Sequence, residues 1–144
     1  MSNRPKETLT DEDYAALANL RYTLRQFMDF SASAASQEGL PAQQHQALLA
    51  IKGYRADGPM SVGILSERLL IAPHTATELV GRLVKAGYVS RQTDPDDKRR
   101  QTLELTGKAE AVLDRLTAIH LAEIRDMAPQ LIDILTRLHS GGGV

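Results

Sequence analysis

Residues 73–106 read PHTATELVGRLVKAGYVSRQTDPDDKRRQTLELT, and their patterning decides the fold. Pro73 suits the first turn of a helix, and Gly87 suits the position just past its end. Between them Ala76, Leu79, Val80, Leu83 and Val84 recur at spacings of three and four, one apolar stripe on a helix over 73–86. His74, Thr75, Thr77, Glu78, Gly81, Arg82 and Lys85 share its opposite, polar face. After Gly87 the period drops to two: residues 88–91 and 101–105 alternate as strands. The turn formers from Thr93 to Lys98 join those strands into a hairpin with a highly charged tip.

Just upstream, 64–70 predicts a compact helix, preceded by a short extended piece, Met60-Ser61-Val62. Two short helices across a tight turn are a helix-turn-helix, and the hairpin that follows makes it a winged one. An exposed helix of this kind enters the major groove, where base edges differ in donors and acceptors. A hairpin tip reaches the adjacent minor groove, where arginine meets a strongly negative potential. Thr75 and Thr77 offer short hydroxyls to base edges, His74 lies beside them, and Arg82 and Lys85 reach phosphates.

Further out the chain is helical. Asp11-Glu12-Asp13 place acid where the macrodipole of a helix start favours it. Leu17, Leu20, Leu24, Phe27 and Met28 give the helix that follows, to about residue 38, an apolar face. Gly39 stops it, and Pro41 suits the first turn of a second helix, about 41–54. Thr106 caps a long helix over about 107–127, and Pro129 starts a last one carrying Leu131, Ile132, Leu135 and Leu138. Gly141-Gly142-Gly143 predicts a frayed tail. The expected fold is mainly α (α+β): a winged helix-turn-helix lobe over about 41–105, flanked by long N- and C-terminal dimerisation helices (11–38 and 107–139), in a single domain over 1–144.

The 144 residues suffice to bury a core, and 42% apolar with 24% charged residues is an ordinary globular balance. Net charge is −1, yet residues 82–108 hold seven basic against four acidic side chains. That asymmetry suggests a local anion-binding surface, with a solvated charged face as the plainer reading. With no cysteine there is no disulfide, thiol nucleophile or thiolate metal site. His45, His74, His120 and His139 are scattered without metal-ligand spacing, so neither a metal nor a cofactor is expected. No carboxylate pair, Ser-His-Asp order or glycine-rich phosphate loop stands out, which argues against an enzyme. No apolar run reaches the roughly 20 residues that span a bilayer, and residues 1–10 are polar, so a cytoplasmic location without membrane association is expected.

Residues 91–100, RQTDPDDKRR, followed by Leu103-Glu104-Leu105-Thr106, resemble the wing signature of the MarR family of bacterial transcriptional regulators. Residues 75–83 are similar to the family's recognition helix, and Leu83 to Val89 to its exit into the wing. The resemblance implies a homodimer built from the first and last helices, most simply a repressor on a palindromic operator in double-stranded DNA. In many members a small, often aromatic ligand beneath the dimerisation helices releases the DNA. Phe27, Phe30, His45 and Tyr54 are the candidate lining here, with core packing as the plainer role for each. Lys98, Arg99 and Arg100 complete the expected DNA-binding set with His74, Thr75, Thr77, Arg82 and Lys85.

Two residues depart from the family pattern. Ala72 stands where many relatives have a Ser or Thr cap. Glu78 stands where relatives often carry Arg, and either repels phosphate or pairs with Arg82 four residues on. In the wing, Asp94 and Asp97 are expected to hold its shape, with Arg99 either in the minor groove or paired to Asp97. The alternative function is a winged-helix module that binds protein and has lost DNA binding.

Overall fold

The computed structural model describes residues 8–140. The expected tail at Gly141-Gly142-Gly143 lies outside them. In chain order the elements are α1 (Asp11–Gln37), α2 (Ala42–Gly53), α3 (Val62–Leu69), α4 (Pro73–Lys85), β1 (Val89–Thr93), β2 (Gln101–Leu105) and α5 (Gly107–His139). Two compact units partition the chain. One comprises residues 32–119; the other combines the N-terminal stretch to Ser31 with the stretch from His120 onward.

In the central unit Leu40, Leu48, Met60, Leu65, Leu79, Leu83, Leu103 and Leu116 form one apolar core. Gly39, at φ +75°, turns the chain sharply after α1, as only a residue without Cβ does at low cost. The strands β1 and β2 pair antiparallel, Val89 opposite Leu105 and Thr93 opposite Gln101. Ser61 adds a single bridge to Thr102 on the free edge of β2, and Leu103 N–H donates to the Met60 carbonyl at 2.8 Å. Arg115 of α5 clasps Glu38 at 3.0 Å, and those hydrogen bonds and charge raise the Arg115 pKa further above its usual value.

The terminal unit holds most of α1 and the C-terminal half of α5. Thr10 and Asp13 cap the start of α1 reciprocally: Thr10 N–H donates to the Asp13 carboxylate at 2.8 Å, and Asp13 N–H to the Thr10 hydroxyl at 3.2 Å. His120 Nε2 meets Ser31 Oγ at 2.7 Å, and the rings of Phe27 and Phe30 each stand edge-on to the imidazole.

Several boundaries differ from the sequence-based reading; β1 covers Val89–Thr93 rather than 88–91, so Thr93, paired with Gln101, is strand rather than turn. The extended piece shrinks to Met60-Ser61, and α3 begins at Val62 rather than Ile64, because Ser61 Oγ accepts the Ile64 N–H at 3.2 Å and caps the helix there. Pro129 does not start a separate helix. It sits inside α5, which runs unbroken for 33 residues.

Candidate nucleic-acid interface

Helix α4 buries Ala76, Leu79, Val80 and Leu83 and leaves His74, Thr77, Glu78, Arg82 and Lys85 exposed, with Thr75 half-buried. The stripe at spacings of three and four holds the helix down, so the polar face is the one left for a partner. Thr77 Oγ donates to the Pro73 carbonyl at 3.1 Å, which leaves its lone pairs as the group free to bond outward. No ion pair joins Glu78 to Arg82 among the described residues, so Glu78 keeps its charge on that face.

The exit of α4 is fixed from several sides. Gly87 takes φ +82°, and Tyr88 N–H reaches back to the Leu83 carbonyl at 2.9 Å. Lys108 Nζ donates to the Ala86 carbonyl at 2.7 Å and lies 4.4 Å over the Tyr88 ring. Thr106 Oγ donates to the Gly87 carbonyl at 2.6 Å, and it also accepts the Ala109 N–H at 3.3 Å as the cap of α5. These bonds fix the angle between α4 and the hairpin.

At the wing tip the acids bond to backbone. Asp94 accepts the Asp96 N–H at 2.9 Å and Asp97 accepts the Arg99 N–H at 3.0 Å. Among the described residues no ion pair joins the Arg99 guanidinium to Asp97. The side-chain contact runs instead from Arg100 to Asp94, at 4.0 Å, and is half-exposed and weak. Lys98, Arg99 and Arg100 are all exposed.

The first turn of α3, α4 and the wing enclose a cleft of about 440 Å³. Of the expected DNA-binding residues it gathers Thr77, Arg99 and Arg100; His74, Thr75, Arg82, Lys85 and Lys98 are not in its lining. It also brings in Ser61 and Arg91, which the sequence reading passed over. Arg91 was visible as a basic residue in the wing signature, but strand alternation alone does not say which face meets α4. The four candidate ligand residues are divided between the units: Phe27 and Phe30 in the terminal unit, His45 and Tyr54 in the central one. His45 is buried on α2, and Tyr54 packs against the central core with Arg68 6.0 Å over its ring.

Among the described residues no group of three or more His, Cys, Asp or Glu is placed to hold a metal, and no helix is long and apolar enough to cross a membrane.

Residues 38–100 match the model of the MarR family. An uncharacterized HTH-type transcriptional regulator of Bacillus subtilis, YcgE, is 49% identical over 43 residues, which are 30% of this chain and 28% of that protein. The matches to the other curated relatives span about half of each relative's length or less. The crystal structure of AbsC, a MarR family transcriptional regulator from Streptomyces coelicolor, superposes with TM-score 0.74 at 19% identity, over 94% of this chain and 92% of that one. A mutant of Staphylococcus aureus MepR bound to an oligodeoxyribonucleotide superposes with TM-score 0.64 at 18% identity, over 92% and 98% of the chains. At such identities the likeness is one of fold: a winged helix with long terminal helices.

Proposed function

We infer from residues 38–100, a MarR-family segment that holds the whole helix-turn-helix and most of the wing, that this chain is a DNA-binding transcriptional regulator. The observation that carries this reading is the exposed polar face of α4 set beside a wing with Lys98, Arg99 and Arg100 in the open. Helix and wing are held at a fixed angle, as adjacent major and minor grooves require. The structural neighbour MepR, whose mutant was crystallised with an oligodeoxyribonucleotide, shares this fold and is consistent with the same reading.

The finer part of the proposal is a homodimer that represses from a palindromic operator with half-sites about one helical turn apart. A small aromatic effector belongs to it as well, on the family resemblance alone, since Phe27 and Phe30 already pack edge-on to His120. The protein-binding alternative has one observation in its favour, the unpaired Glu78 on the exposed face of α4.

Gel shift with duplex from the protein's own promoter region separates the two. We expect a retarded complex whose affinity falls steeply between about 50 and 200 mM salt, since lysine and arginine contacts release counterions. No complex, or one whose affinity ignores salt, refutes the DNA-binding reading.

A further inference from the structure

We propose that Arg91, seated on Gly81 of α4, is a ligand for a DNA-backbone phosphate and gives the wing and α4 a shared grip on one strand. The inference rests on the DNA-binding reading and goes beyond it by assigning a residue and a contact. Arg91 stands at the centre of β1, and its Nη2 lies 3.7 Å from where a Cβ on residue 81 would sit. A glycine in the middle of a helix lowers helix propensity. Here it leaves open the surface on which the guanidinium rests.

The surroundings are short of counter-charge, with three guanidiniums against one carboxylate. Arg91, Arg99 and Arg100 line the cleft with a single carboxylate, Asp97, and that carboxylate already accepts the Arg99 N–H. Arg100 reaches Asp94 only at 4.0 Å, and no hydrogen bond or ion pair engages the Arg91 guanidinium among the described residues. Thr77 and Ser61 add hydroxyls to the same lining. Several guanidinium forks around one cleft suit a doubly accepting oxyanion, and phosphate is the group that arginine binds in this bidentate way. The cleft opens beside the exposed faces of α4 and the wing, so the phosphate is one of the duplex that those faces meet. A free phosphate compound is the other source of the same chemistry, and the test separates them.

The measurement is fluorescence anisotropy with a labelled random-sequence duplex of about 30 base pairs, across a sodium chloride series, because a phosphate contact is independent of sequence. Loss of one such contact lowers the slope of log affinity against log salt by about one unit. Arg91→Ala is expected to show that loss, and Arg91→Lys to keep the wild-type slope because the charge remains. Gly81→Leu, whose side chain needs the space of the guanidinium, should reproduce the Arg91→Ala slope. Gly81→Ala should not, since its Cβ sits at ordinary contact distance. Arg91→Gln serves as a second neutral variant should Arg91→Ala fail to fold by circular dichroism.

Equal slopes for wild type and both neutral variants overturn the proposal, as does an affinity loss common to Arg91→Ala and Arg91→Lys with no change of slope, the mark of a brace. Inorganic pyrophosphate that binds wild type but not Arg91→Ala, with duplex binding equal in the two, would assign the cleft to a free phosphate compound instead. A wild-type protein that binds no duplex at all removes the DNA-binding reading itself, and this contact with it.

Discussion

Ala72 begins α4 with no side-chain acceptor, whereas α3 begins on Ser61, whose hydroxyl takes the Ile64 N–H. The backbone at Ala72 is already extended, φ −65° and ψ 148°, the shape a capping residue adopts. Only the oxygen is missing. Ala72→Ser is therefore expected to stabilise the protein by about 1 kcal/mol, the usual worth of an N-cap hydroxyl. Urea unfolding at fixed protein concentration reads this as a higher midpoint at unchanged slope. An unchanged midpoint would mean that Pro73 alone sets the start of the helix. Leu70, two residues earlier, takes the left-handed conformation at φ 56° with its side chain 92% exposed, a strained choice in the turn between α3 and α4. The turn is held by Ile71 N–H reaching back to the Ser66 carbonyl at 3.1 Å.

At the scale of elements, α5 carries the largest difference from the sequence reading. Pro129 lacks an N–H and crowds the carbonyl four residues back, so it fits equally the first turn of a new helix or a tolerated break inside an old one. Its neighbours Met127, Ala128, Gln130 and Leu131 are good helix formers, and the helix runs through. Pro129→Ala restores the missing hydrogen bond, and the more flexible unfolded chain takes back part of the gain. The net expectation is a stabilisation of about 1–2 kcal/mol. The new amide at position 129 should be slow to exchange with deuterium, and a fast-exchanging amide there would show that the helix is open at that point. By contrast α4 and the hairpin were legible because their patterns are short and unmixed: an apolar stripe at spacings of three and four, then alternation, with glycine between. The pattern of acids in the wing led to the expectation that Asp94 and Asp97 hold its shape, but not that Asp97 bonds the Arg99 backbone while Arg100 approaches Asp94. Spacing along a chain does not encode which of two adjacent arginines turns toward a carboxylate. The same limit hid Arg91, whose partner surface on Gly81 exists only after the hairpin folds back on α4.

For the whole molecule the decisive feature is apolar surface that one chain leaves in water. On α1, Leu17, Leu24 and Met28 lie at spacings of seven and four, one helix face, each about half exposed. On α5, Leu121, Ile124, Ile132 and Leu135 share a face in the same way, Ile132 at 62% exposure. Scattered exposed leucines are ordinary, but two aligned rows on helices of 27 and 33 residues are not. A second copy related by a two-fold axis covers such rows with the same rows, which is how closed homodimers form. A dimer of that kind would carry two copies of α4 and of the wing, the number that the proposed palindromic site calls for. Sedimentation at micromolar concentration should therefore give about twice the 15.8 kDa chain mass. The double substitution Ile132→Glu with Leu135→Glu places like charges across the proposed seam and should yield the monomer. Residues 32–119 contain neither position, so their core should stay folded by circular dichroism. Without the second reading helix, affinity for promoter duplex should fall far more than for either wing or helix substitution alone. A wild-type monomer at micromolar concentration refutes the dimer. A double variant that sediments as a dimer places the seam elsewhere than on the C-terminal part of α5.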